Sequence, residues 1–320
     1  MKKIFLSILI FTGNLQVFSQ YPPSVGMPGS TAVFTDSSII VNWAKSCKIQ
    51  RGFVDISAMH DSLVSNGNEA DALGKADNST VSLGDSGVAI VSFNPPISNG
   101  SGFDFAVFEN SFDGAFLELA FVEVSSDSIH WYRFDAVSLT PTDTQITTFG
   151  LLNPTKINNL AGKYIALYGT PFDLQELSGK PFLNIDSVPY VKLIDVIGSI
   201  STSYSTFDSQ GHKINDPFPT PFFTGGFDLD AVGVINEQTQ NISLELLDNI
   251  VVMPNPCSNV INAIVNGCGD YELHDVTGKT LISGSFCNKF SIPVSDLEQG
   301  LYVLKVNSMG KIGFTKFLKN

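Results

Sequence analysis

Between residues 88 and 235 the chain is built of short apolar runs in which polar positions alternate, punctuated by Gly, Pro, Asn and Asp. Alternation with period two places successive side chains on opposite faces of a strand. It predicts strands over VAIVSF (88–93), FDFAVFEN (103–110), LELAFVEVSS (117–126), HWYRFDAV (130–137), KYIALYG (163–169), YVKLIDVIG (190–198) and FDLDAVGVI (227–235). These runs are rich in Val, Ile, Phe and Tyr, and turn residues separate them. In LELAFVEVSS, Ala120, Val122 and Val124 share one face and Leu119, Phe121 and Glu123 the other, so this strand has neighbours on both edges. Phe53, Ile56, Met59 and Leu63 stand near helical spacing and predict one short helix within 53–73. The pattern is that of an all-β sandwich with long decorated loops.

One strand carries an unusual pair. In GGFDLDAVGVIN (225–236), Asp228 and Asp230 interrupt a run otherwise suited to a core. In a regular strand they point the same way, about 7 Å apart, and repel unless water or a cation separates them. Calcium takes six to eight oxygens at about 2.3–2.6 Å, and a strand beginning after a Gly-Gly turn supplies two carboxylates together with loop carbonyls. Asp104, Glu109 and Asp195 are the further acids placed to join Asp228 and Asp230 around Ca2+. The competing reading is that such acids cap loop amides or face solvent. The preceding loop, DSQGHKINDPFPTPFFTGG (208–226), holds three prolines and Phe218, Phe222 and Phe223. Proline stiffens such a loop, and its aromatic rings either pack inward or meet a ligand. Trp131, after a Ser-Asp turn, has the same two options.

The ends and the charge divide the chain. MKKIFLSILIFTGNLQVFSQ has a charged start, an apolar stretch and a small residue, Ser19, before Gln20, which predicts a signal peptide over 1–19. No later run reaches the roughly 18 apolar residues of a transmembrane helix. Residues 20–249 carry 10 Lys and Arg against 26 Asp and Glu, net −16, whereas residues 250–320 carry 6 Lys against 5 acids, net +1. This shift predicts a binding domain over 20–240, a linker over 241–249 and a second domain over 250–320. So acidic a surface disfavours nucleic acid. Of four cysteines, Cys257, Cys268 and Cys287 lie in the last segment, so either one disulfide forms there or Cys47 pairs across domains. That segment alternates around Thr277-Gly278 and Met309-Gly310 and reads as a small all-β domain.

Pro254-Asn255-Pro256, YELHDVTGK (271–279), LEQGLYVLKV (297–306) and the basic ending KFLKN resemble the type A sorting domain of the Bacteroidetes type IX secretion system. The resemblance implies an immunoglobulin-like β-sandwich, the type IX machinery as partner, and a mature protein released from or attached to the cell surface. Upstream, ADALGKADNSTVSLGDSGVAIVSF, GFDFAVFENSF, LELAFVEVSSDSIHWYRF, LAGKYIALYGTPFDL and INDPFPTPFFTGGFDLDAVGVI look like a family of bacterial cell-surface proteins without a settled activity. VEVSSDSIHWYRF (122–134) resembles galactose-binding-like and discoidin-like jelly rolls, which implies a jelly-roll-like sandwich, a structural calcium by analogy, and a glycan ligand meeting Trp131, Phe218, Phe222 or Phe223. Association of the surface family with vitamin B12 uptake implies corrinoid capture as an alternative.

Other motifs are weaker. Gly-Asp-Ser-Gly (84–87) lacks the histidine context of a serine protease and reads as a tight turn before a strand. Asp61-Ser62-Leu63, Asp127-Ser128-Ile129 and Asp186-Ser187-Val188 resemble a short O-glycosylation signal of exported Bacteroidetes proteins. A glycoside hydrolase or lyase needs two carboxyl groups across a cleft, and the sequence singles out no pair among the 26 acids.

Overall fold

The computed structural model describes residues 21–58, 62–238, 247, 250–309 and 311–320. The expected signal peptide, His60, Asp61 and most of the expected linker lie outside the described residues. The chain divides into two compact units, one up to residue 239 and one from residue 240.

The strands of the large unit are β1 (Val33–Phe34), β2 (Asn42–Trp43), β3 (Ser46–Gln50), β4 (Val81–Ser82), β5 (Val88–Ile97), β6 (Phe105–Glu109), β7 (Ala120–Ser125), β8 (Tyr132–Arg133), β9 (Val137–Ser138), β10 (Ile157–Asn158), β11 (Leu160–Ala161), β12 (Tyr168–Phe172), β13 (Val188–Asp195) and β14 (Asp228–Val234). One antiparallel sheet runs β1-β12-β6-β14-β2, with β4 also on β14. The other runs β11-β7-β13-β5-β3, with β8 also on β7. Val91, Val122, Val191 and Leu193 of the second sheet share one core with Phe105, Val107, Leu229 and Val232 of the first, which makes the unit a β-sandwich. Phe105, Phe134 and Phe172 meet at ring separations of 5.0–5.9 Å, and each fully buried ring of this size contributes about 1.5–3 kcal/mol. Among the described residues the helical segments are three short 3-10 turns.

β7 has partners on both edges, as its two apolar faces require. Two other expectations change. KYIALYG is mostly turn: Leu167 takes a positive φ of 67° and the Tyr168 amide donates back to the Ile165 carbonyl, so the strand begins at Tyr168. The short helix expected within 53–73 is a 3-10 turn at Glu69–Ala72, and 53–58 lies outside it. Phe53 bridges to both Leu63 and Asp85, and the Ile56 amide donates to the Asp85 carboxylate, which holds the backbone open.

The small unit consists of β15 (Val251–Met253), β16 (Val260–His274), β17 (Thr280–Pro293), β18 (Gly300–Ser308) and β19 (Lys311–Lys319). β16 pairs with β17 along most of its length, with β15 over its first half and with β18 over its second. The antiparallel strands enclose a single core that includes Ile261, Leu273, Ile292, Leu304 and Phe317. Cys268 and Cys287 are cross-strand partners joined by a disulfide, while Cys257 and Cys47 are buried free thiols. Burial pushes the Cys47 thiol up to about 12, so it stays a protonated core residue. The disulfide spans 19 residues of sequence, a loop whose closure restricts the unfolded chain by about 3 kcal/mol. Replacing Cys268 and Cys287 by serine should lower the stability of the small unit by about that amount, measured by chemical denaturation of the full chain, and leave the large-unit transition unchanged.

Candidate functional site

The residues from Gly225 to Val234 build one side of the site. Gly226 has a φ of +73°, and a Cβ there would stand 2.8 Å from both an Asp195 carboxylate oxygen and the Gly84 Cα. Only glycine allows this turn. It brings the Phe227 amide to 2.7 Å from Asp195 Oδ1, while Asp195 Oδ2 accepts from the Ser86 amide at 3.2 Å. The Gly84–Gly87 stretch is thus a tight turn anchored from below, closed by the Gly87 amide on the Gly84 carbonyl.

β14 then breaks its own alternation. A register shift against β6 falls between Leu229 and Ala231. Phe227 and Leu229 before it and Val232 and Val234 after it all join the inter-sheet core. That parity change is the signature of a bulge. Asp228 and Asp230 are both buried and take different partners. Asp228 accepts from the Ser82 hydroxyl and, at 3.3 Å, from the Asn110 side chain. Asp230 accepts from the backbone amides of Asp77 and Asn78, each at 3.1 Å.

The other acids follow the same rule. Glu109 accepts from the Ser111 amide at 2.8 Å, and Asp216 from the Leu119 amide at 2.8 Å. Asp104 accepts from the amides of Gly100 and Leu174 and from the Asn236 side chain. It precedes β6 whereas Glu109 ends it, a separation of roughly 17 Å along an extended strand. The five acids expected to bind calcium therefore do not form one ligand set. Among the described residues no three His, Cys, Asp or Glu side chains stand close enough to hold a metal ion. Asp104, Asp195 and Asp230 each accept from two loop amides.

What does converge is a patch of buried carboxyl groups. Burial, then the charge of Asp228, drive Glu109 well above the usual carboxyl range, and the Ser111 and Asn110 amides do not offset them. Burial, then Glu109 and Asp228, do the same for Glu118. Asp195 and Asp216 are raised chiefly by burial, and each also by other members of the patch. Burial brings Asp85 and Asp228 each to about 6.

Above this patch lies a pocket of about 220 Å³. Its polar floor includes Glu118, Asp228 and Asn110, and its walls are the rings of Phe112, Phe116, Phe149 and Phe222. The rings form a chain with separations of 4.7 Å (Phe112–Phe116), 6.2 Å (Phe116–Phe149) and 5.9 Å (Phe149–Phe222). Phe112 is 72% exposed, Phe149 67% and Phe222 43%. Three segments far apart in sequence meet here, and polar bonds set them. Asn215 accepts from the Ile146 amide and donates to the Pro141 and Thr144 carbonyls. The Thr148 hydroxyl donates to the Pro219 carbonyl at 2.7 Å. A Cβ on Gly162 would lie 1.8 Å from the Glu118 carbonyl oxygen, so glycine lets that backbone approach closely.

Of the aromatic residues expected to meet a ligand, Phe222 lines the pocket. Phe218 is buried. Phe223 is exposed but outside the pocket lining, and its carbonyl holds the Ser65 and Asn66 amides. Trp131 is half-buried elsewhere, its indole donating to the Ser128 carbonyl and its face covered by the Lys192 ammonium at 3.9 Å. Phe112, Phe116, Phe149 and Glu118 were not singled out by the sequence. A larger groove of about 620 Å³ beside β3 has no aromatic lining, and its Glu69 carboxylate is engaged by the Ile49 amide.

Residues 251–320 match the family model of the secretion system C-terminal sorting domain. The small unit is thus a sorting tail, and the chain is an exported, cell-surface protein. No helix among the described residues is long and apolar enough to cross a membrane. No curated protein matches the chain. Among solved structures it is similar to a Ruminococcus gnavus β-glucuronidase in complex with uronic isofagomine, at 10% identity and a TM-score of 0.20, covering 86% of this chain and 42% of that one. It is also similar to the BSP domain of a biofilm associated protein, at 10% identity and a TM-score of 0.22, covering 88% and 52%. The chain spans about half the length of these structures, and likenesses this slight carry no functional argument.

A carboxyl whose folded pKa lies above its unfolded value of about 4 contributes stability that is whole below that value and is lost as pH rises through the folded pKa. Asp85 and Asp228 at about 6, with Glu109, Asp195 and Asp216 also raised by burial, place this loss at mildly acidic to neutral pH. Trp43 and Trp131, the only two tryptophans, both report on the large unit. Its fluorescence melting temperature should fall between about pH 5 and about pH 8. Asp228→Asn should reduce that fall by raising the melting point at the higher pH.

Proposed function

We propose that the large unit is a glycan-binding module displayed by way of its sorting tail, and that the Phe112–Phe222 pocket is its seat. The observation that carries the reading is the chain of four rings, three of them exposed, over a floor of carboxyl groups. Phenylalanines left in water at a contiguous patch mark an interaction surface. A sugar ring offers an apolar C–H face to stack on them and hydroxyls that donate to Glu118 and Asp228. At about 220 Å³ the pocket is below the roughly 300–1,000 Å³ typical of drug-sized ligands. That size suits a single pyranose unit of a longer chain and disfavours the corrinoid alternative. Glu118 and Asp228 lining one pocket is also the observation that favours a second reading, glycoside hydrolysis, in which both would flank the scissile bond.

Glycan-array screening followed by calorimetric titration of the full chain should find an oligosaccharide that binds. Phe149→Ala and Phe222→Ala should each weaken it about tenfold, equal to about 1.4 kcal/mol. Absence of any glycan binding, or binding indifferent to both substitutions, would remove the proposal. Appearance of reducing ends during the titration would replace it with the hydrolase reading. For the tail, deletion of residues 251–320 should leave the large unit off the cell surface, scored by protease accessibility of whole cells.

A further inference from the structure

The pocket has a charge of one sign. Glu118 and Asp228 line it, and no Lys, Arg or His does. Glu109 is buried and lies close enough for its charge to act on Glu118 and to feel that of Asp228. The cation that acts on Asp228 is Arg51. Its guanidinium is directed at carbonyls: it donates to those of Asn66, Gly67 and Ser82. Four aromatic rings line the pocket, and the face of an aromatic ring attracts a cation and repels an anion. The surrounding acidic unit, net −16 over residues 20–249, adds a long-range field of the same sign.

We infer that the pocket selects a saccharide bearing a free ammonium group, an unacetylated amino sugar, over neutral or uronic sugars. The ammonium sits over the aromatic faces and donates to Glu118 and Asp228, while the sugar ring stacks on the walls. A uronate in the same place would set its carboxylate beside that of Asp228, which at about 6 is ionised at neutral pH. An N-acetyl group would keep the ring and lose the charge. This specificity rests on the glycan reading above, whereas the charge preference can be tested without it.

The test titrates the full chain at neutral pH with four probes: a fully deacetylated glucosamine oligomer, its N-acetylated counterpart of equal length, an oligogalacturonate, and choline. The expected result is that the deacetylated oligomer binds about tenfold or more tighter than the acetylated one, and that the oligogalacturonate does not bind. Asp228→Asn, which removes charge at nearly constant shape, should shrink that ratio toward unity, and Phe149→Ala, which removes both a stacking surface and a face for the ammonium, should weaken both oligomers and the deacetylated one more. Equal binding of the two oligomers, or preference for the uronate, would overturn the inference and leave the glycan reading standing. Binding of choline with neither oligomer would overturn the glycan reading and leave the cation preference. Binding of none of the four would overturn the inference.

Discussion

Buried carboxylates accepting from loop amides hold the loops of the large unit in place. The sandwich has no α-helix among its described residues to brace its long connections. Asp195 instead ties the turn at Ser86 to the turn at Phe227. Asp216 ties its own loop to Leu119, and Asp104 joins Gly100 to Leu174. Each such bond replaces water on a backbone group that would otherwise be buried unpaired. The cost is electrostatic: several anchors crowd one end of the unit and raise one another's proton affinity.

That cost links the fold to the site. The acids that fix the loops leave Glu118 and Asp228 at the floor of a pocket, and the loops they fix carry its aromatic rim. The anchors Glu109, Asp195 and Asp216 act through their charge on Glu118 of the pocket, so the stability of that end and the charge of the pocket are coupled. An amide in place of one carboxylate is expected to relieve repulsion and to weaken recognition together, the usual trade at sites under electrostatic strain.

Much of the frame was legible in the alternation of residues, because a strand writes its two faces into neighbouring positions. β5, β6, β7, β13 and β14 fall within or across the apolar runs that predicted them. The break at Asp230 was not, since a bulge depends on the partner strand β6 and leaves no local mark. The pocket was less legible for the same reason. Asn110 meets Asp228 across 118 positions and Leu119 meets Asp216 across 97. Asp228 stood out as a charge in an apolar run, but its role as a pocket floor needed Glu118 and Phe149 beside it. Phe112 and Phe149 sit among Gly, Asp, Ser and Thr in loops, where an aromatic side chain reads equally well as buried.

Amide hydrogen exchange of the large unit tests the central claim directly. If carboxylates pin the loops, the amides of Ser86, Ser111, Leu119 and Phe227 exchange slowly although all four lie outside the strands, and Asp195→Ala releases Ser86 and Phe227 together while sparing Leu119. Fast exchange at all four amides in the unaltered protein, equal to that of freely exposed turns, would contradict the account.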